Sequence, residues 1–311
     1  MIDKVLILIC FIANLFFTNL YSQNFILINS SNKGINVIVN NKERLINGFP
    51  LIEDINTTFN EVYSSDKQIK YIINTNKALI IDYLIKNKNI LILRMNLPKG
   101  EIHNGKTFAG FFWDSITGFN KGVEVWRYKP WNSWTKPIKC YDPSKIHDWD
   151  VQFFYWQFDD GLYGAAIPLC GNGYRTSLGA ENNKFGCKSY TYTKEASSEN
   201  IPLMVLGFDD NPYRLFSNIY EVAFKNMNIK TNLLKNKVYP EVFEYIGWCT
   251  WNATNMGRDL NESYLINSVK TFTDKGFPLG WILIDDGWFI HDRGRLNSFL
   301  PDTVKFPNGF K

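Results

Sequence analysis

The chain predicts a β part followed by an α/β part: an N-terminal antiparallel β-sandwich, then the first two βα units of a (β/α)8 barrel. Three observations carry this. From Gln23 to about Ile201, short runs rich in Val, Ile, Phe and Tyr alternate with Asn, Asp and Gly turns. From Val242 to Asp286 the pattern changes to strand, amphipathic helix, strand. The two strands recur near the roughly 31-residue interval that eight units of a barrel of about 250 residues require.

The first element is a leader. Lys4 precedes an apolar run from Val5 to Phe17, and Thr18 to Gln23 follow as a polar stretch with a small Ser22. The run is too short to span a bilayer comfortably, which predicts a signal peptide over residues 1–22, cleaved between Ser22 and Gln23. An uncleaved anchor is the other reading. Cleavage implies a secreted or periplasmic protein with no membrane attachment afterwards.

Residues 23–210 are expected to form the sandwich. Gly34 to Val39 is a strand ending at an Asn40-Asn41 turn, and Lys88 to Leu93 is another. Val151 to Phe158 and Leu162 to Leu169 flank Asp159-Asp160-Gly161, which reads as a hairpin with an Asp-Gly turn. Trp126, Trp131, Trp134 and Trp149 cluster late in this segment. They suit either core and interface packing or an outer sugar subsite.

Residues 211–240 are read as a helix and linker. Asn211-Pro212 starts the helix, and Leu215, Phe216, Ile219, Val222 and Ala223 share one face. A Lys- and Asn-rich stretch from Lys225 to Lys237 follows as the connection.

Residues 241–311 are read as the incomplete start of the barrel. Val242, Phe243, Tyr245 and Ile246 lead into Gly247-Trp248-Cys249-Thr250-Trp251. Asp259 and Glu262 form a capping-box-like start for a helix whose Leu265, Ile266, Val269 and Phe272 lie on one face. Gly276 and Pro278 end it. Trp281-Ile282-Leu283-Ile284 then reads as a fully buried parallel strand ending in Asp285-Asp286-Gly287-Trp288. Carboxylates buried at a strand end cost several kcal/mol unless something binds them, about the penalty for an unpaired buried ion. Sugar hydroxyls suit a carboxylate and an indole suits the C–H face of the same sugar. A plain chain-reversing turn is the other reading. In barrels functional residues stand at the C-terminal ends of strands, so Trp251, Asp285 and Asp286 are expected in one pocket.

These motifs resemble a known family. Gly247 to Trp251, Ile284 to Trp288 and Lys305-Phe306-Pro307 are similar to the opening of the catalytic barrel in raffinose synthases and seed imbibition proteins, grouped with the α-galactosidases of glycoside hydrolase family 36. The likeness extends upstream through Val151-Gln152-Phe153, Asp160 to Tyr163, Ile167-Pro168-Leu169, Tyr174-Arg175 and Asn211-Pro212-Tyr213. It implies that Asp285 and Asp286 accept hydrogen bonds from the 4- and 6-hydroxyls of galactose, that Trp251 walls this subsite and that Trp288 helps shape it. Asn252 stands where the plant-type pattern has Asp, which bears on linkage or acceptor preference.

The resemblance also implies that nucleophile and acid/base are aspartates on later strands, beyond Lys311. A retaining glycosidase needs two carboxyls about 5–5.5 Å apart, which neighbours on one strand end do not supply. The chain is therefore expected to be an N-terminal fragment with substrate-binding residues and no catalytic residue. The expected activity of the complete protein is that of a retaining α-galactosidase-like glycoside hydrolase acting on raffinose-family oligosaccharides or other α-galactosides. Raffinose synthase-like α-galactosyl transfer, or non-catalytic carbohydrate binding, are the alternatives. An exported protein favours breakdown of external oligosaccharides.

Composition excludes little else. The chain has 311 residues, 45% hydrophobic and 21% charged, able to bury a core over two domains. Its net charge of +4 is scattered, giving no reason to expect nucleic acid as a partner. His103, His147 and His291 lack metal-ligand spacing, and there is no phosphate loop, so neither cofactor nor metal is expected. After the leader, Cys140, Cys170, Cys187 and Cys249 remain; a Cys170–Cys187 bridge is the favoured pairing if one forms, with Cys249 a buried free thiol. Oligomeric state is not legible.

Overall fold

The computed structural model describes residues 25–31, 34–52, 59–73, 78–98, 108–129, 132–139, 142, 145–146, 150–181, 184–193, 196–292 and 295–310. The expected leader, with Cys10, Cys140, His103, His147, Trp131 and Trp149, lies outside them. Among the described residues no helix is long and apolar enough to cross a membrane. The chain divides into two compact units, residues 1–233 and 234–311.

The first unit is one antiparallel sheet. Its strands are β1 (Ile26–Ser31), β2 (Gly34–Val39), β3 (Lys42–Ile52), β4 (Phe59–Ser64), β5 (Gln68–Ile73), β6 (Ala78–Lys86), β7 (Ile90–Asn96), β8 (Phe108–Trp113), β9 (Ser115–Ile116), β10 (Phe119–Lys129), β11 (Asn132–Ile138), β12 (Val151–Phe158), β13 (Tyr163–Pro168), β14 (Tyr174–Glu181), β15 (Lys184–Thr191) and β16 (Ile201–Asp209). The hydrogen-bonded path runs from β1 to β4 at its two ends. Those ends meet, because the Ser64 hydroxyl donates to the Ser30 hydroxyl at 3.3 Å. The long β3 joins the two halves, pairing with β2 on one side and β8 on the other. What the sequence suggested as a sandwich of short strands is thus a single curled sheet around one core.

Local chemistry explains the turns. Asn40 and Asn41 hold φ of 54° and 62° between β2 and β3, the left-handed pair that a two-residue hairpin needs. Asp159-Asp160-Gly161 closes β12 onto β13, with Phe154 opposite Ala166. The core is aromatic: Phe111, Trp113, Phe154, Trp156, Phe185 and Phe208 are all buried. Cys187 belongs to it, opposite Phe111 on β8, whereas Cys170 is exposed; both are free thiols and the favoured bridge is absent. Strand alternation decided this by turning Cys187 to the inner face.

Helix α1 (Pro212–Asn226) is capped by Asn211, whose side chain accepts from the Tyr213 and Arg214 amides at 3.0 Å. Its buried face is Leu215, Ile219 and Ala223, packed with Ile90, Ile92, Ala165 and Val205 of the sheet. Burying each Leu or Ile contributes about 1.5–3 kcal/mol. The helix therefore packs on the sheet of the first unit, and an exposed stretch follows it.

The second unit opens with β17 (Ile246–Cys249), helix α2 (Glu262–Asp274) and β18 (Leu279–Leu283). β17 and β18 are parallel, with Trp248 opposite Ile282 and Cys249 opposite Leu283. A hairpin of β19 (Phe289–Asp292) and β20 (Arg295–Pro301) follows. The cap of α2 is Asn261, accepting from the Tyr264 amide at 2.9 Å, and not Asp259. Glu262 instead accepts from the Asn308 side chain at 2.8 Å, so the expected capping box is not formed. Phe272 packs edge-on against Trp248, while Ile266 is exposed.

Candidate functional site

The parallel strands β17 and β18 end at the same edge, and the candidate residues follow directly. Thr250 continues β17 and donates its amide to the Leu283 carbonyl at 3.1 Å. Its buried hydroxyl accepts the Asp285 amide at 3.0 Å. The Cys249 thiol donates to Asp285 Oδ2 at 3.3 Å, and the Asp286 amide donates to Asp285 Oδ1 at 2.7 Å. Asp285 is thus held at both oxygens and at its own amide, half-buried, while Asp286 is exposed.

This corrects two expectations. β18 is not fully buried: it pairs with β17 alone among the described residues, and Leu283 is half-exposed. Asp285 therefore gains its fixed orientation from hydrogen bonds and not from enforced desolvation. Cys249 is a free thiol as expected, but exposed and touching the carboxylate.

The turn after β17 carries Trp251, which is half-buried. Thr254, also buried, donates its hydroxyl to the Thr250 carbonyl at 2.9 Å and accepts the Gly257 amide at 3.2 Å. This turn meets the Asp285-Asp286-Gly287 turn at two glycines with positive φ, Gly257 at 79° and Gly287 at 97°. A Cβ at Gly257 would stand 2.1 Å from the Asp286 carbonyl oxygen, and one at Gly287 would stand 2.4 Å from that of Gly257. No side chain fits at either position, so the backbones of the two turns touch. The structure thus brings Asp285, Asp286 and the Trp251 turn to one edge.

Trp288 is placed differently. Its ring packs against Phe289 at 5.5 Å and Phe310 at 5.4 Å, and Phe310 in turn meets the buried Phe306 edge-on. Trp288 therefore anchors the end of the unit. Sequence reasoning gave no role to Thr250 or Lys305. The Lys305 ammonium donates to the Gly287 carbonyl at 2.8 Å and the Gly257 carbonyl at 3.1 Å. Only the Lys305-Phe306-Pro307 motif of the resemblance pointed to it.

In the first unit, Trp126 packs on the core and faces Trp134 across β10 and β11, and Trp134 is 57% exposed. With Thr135, Lys136 and Pro137 they line an open cavity of about 440 Å³.

Residues 155–297 match the family described as raffinose synthase or seed imbibition protein Sip1. Over this segment, just under half of its length, the chain is similar to the raffinose synthase family. Its curated relatives include galactinol–sucrose galactosyltransferase of Pisum sativum, 32% identical over 173 residues, which are 54% of this chain and 21% of that protein. The probable galactinol–sucrose galactosyltransferase 4 of Arabidopsis thaliana is 32% identical over 128 residues, 40% of this chain and 14% of the relative. Stachyose synthase of Pisum sativum is 30% identical over 128 residues, 40% and 15%. The chain thus spans about a fifth or less of the length of these curated relatives. An α-galactosidase from Thermus thermophilus in complex with stachyose has a TM-score of 0.42 at 12% identity, covering 78% of this chain and 47% of that one, a likeness too slight to bear on the fold. The matched family segment contains both strands, both touching turns and Asp285-Asp286.

Proposed function

We propose that the protein processes α-galactosides and that the edge formed by Asp285, Asp286 and Trp251 binds the galactosyl unit. The observation that carries this is the orientation of Asp285. Its oxygens already accept one thiol and one amide, leaving lone pairs of a fixed carboxylate for sugar O–H donors. Similarity over residues 155–297 to a family, and to curated relatives that are galactosyltransferases by name, supports the substrate class.

Asp285 and Asp286 are consecutive on one turn, so we assign them binding and orientation rather than the separated nucleophile and acid/base of a retaining mechanism. In the complete protein we take the chemistry to be cleavage of an α-galactosyl bond with retention, on the first units of a (β/α)8 barrel built from β17, α2 and β18. Water as the acceptor makes this hydrolysis, our primary reading given the leader-like N-terminus. Transfer to a second sugar is the other reading, favoured by the names of the relatives. We take the protein to be exported and to need no cofactor.

The complete protein incubated with raffinose, or with galactinol and sucrose, separates the two. Free galactose from raffinose supports hydrolysis; raffinose formed from galactinol and sucrose supports transfer. Turnover of neither, with no galactose bound, would refute the substrate class.

A further inference from the structure

We propose that Lys305 is the positioning residue of this site. Its ammonium ties the turn after β17 to the turn after β18, and so fixes Trp251 relative to Asp285 and Asp286. The proposal rests on the galactoside-binding reading above, and adds a residue distant from the two motifs that carry the sugar contacts.

The geometry is specific. Gly257 and Gly287 bring two backbones into contact, and the carbonyl oxygens of both lie within reach of one ammonium. Two converging carbonyl dipoles repel unless a donor stands between them. The Lys305 ammonium stands there, donating to both at 3.1 and 2.8 Å. A charged donor makes each of these bonds stronger than a neutral one.

Lys305 is itself held on three sides. Its amide and that of Val304 donate to Asp302 Oδ1 at 3.2 and 2.8 Å, and these two bonds hold the Asp302 carboxyl below its ordinary range. Its carbonyl accepts the Glu262 amide at 2.9 Å, at the start of α2. The next residue, Phe306, is buried and donates its amide to the Asp302 carbonyl. The side chain is therefore aimed from a fixed base across to both turns. Each turn leads directly into candidate contacts: Trp251 begins the first, and Asp285-Asp286 precedes Gly287 in the second.

The test compares Lys305→Met, Lys305→Gln and Lys305→Arg in the 311-residue chain, by hydrogen exchange of the two turns and by titration with galactose. We expect Lys305→Met to speed exchange at Gly257, Asp286 and Gly287 and to weaken galactose binding by about tenfold or more, with Lys305→Arg restoring most of both. Lys305→Gln, with a shorter neutral donor, should fall between and serves where the methionine variant fails to fold. Asp285→Asn is the contrast, losing affinity with exchange in the turns unchanged. Unchanged exchange in Lys305→Met, or no rescue by arginine, overturns the proposal. A wild-type chain that binds no galactose would sink the site's function, while the exchange comparison still decides the clamp.

Discussion

The Cys249 thiol lies 3.3 Å from Asp285 Oδ2, so two adjacent parallel strands are joined at their ends through side chains as well as through the sheet. The thiol thereby doubles as a reporter for the carboxylate. Cys170 and Cys249 are exposed, whereas Cys187 is buried in the core and burial pushes its thiol up. Alkylation followed by peptide mapping should label Cys249 and Cys170 well before Cys187, since the thiolate is the reacting form. Galactose should slow labelling at Cys249 and leave Cys170 unaffected; equal protection of both would disconnect Cys249 from the sugar site.

Thr250→Val keeps the shape of a fully buried side chain but removes the acceptor of the Asp285 amide. The unpaired donor should cost about 1–3 kcal/mol. Thr250→Ser should recover most of that loss in chemical denaturation of the second unit. Equal stability of the valine and serine variants would show that the hydroxyl holds nothing.

At Gly287 an alanine must adopt a φ of 97° and place its Cβ 2.4 Å from the Gly257 carbonyl oxygen. Destabilisation by more than about 1 kcal/mol is expected, together with loss of any galactose binding, because the turns must part. An alanine variant as stable as the parent would mean that the turns do not touch in solution.

Legibility from sequence followed locality. The Asp159 to Gly161 hairpin and the Asn211-Pro212 helix start were readable, because each is decided by residues within a few positions. The cap of α2 was assigned to Asp259 because Asp259 and Asn261 are both good caps, and the competing attraction of Glu262 to Asn308 is non-local. The Cys170–Cys187 pairing failed because loop spacing does not reveal which face of a strand a thiol occupies. At the candidate site the aspartates and Trp251 were legible as a strand-end pattern. The Lys305 bridge was not, since it depends on two carbonyls from turns 30 residues apart in sequence coming together only after β17 and β18 pair.

Asp160 makes acid stability of the first unit testable. Burial raises its pKa, but hydrogen bonds from Lys42 and Arg44 and their charges outweigh that and bring it to about 2. A depressed carboxylate contributes stability that is full above its unfolded value of 3.8 and is lost as pH falls through about 2. The contribution is moderated by solvent, as the side chain is a third exposed. Denaturant midpoints between pH 5 and pH 2 should therefore fall more steeply for the parent than for Asp160→Asn. Parallel curves would remove Asp160 from the cause.

The galactose-binding role of the aspartate pair is best decided by titrating the 311-residue chain with galactose and following the Trp251 indole by NMR, in the parent and in Asp285→Asn and Asp286→Asn. We expect saturable shifts in the parent and affinity weakened about tenfold or more in each variant, the loss of one charge-assisted hydrogen bond. Identical affinity in parent and variants, with the fold intact, would sink the assignment of this edge as the galactoside site.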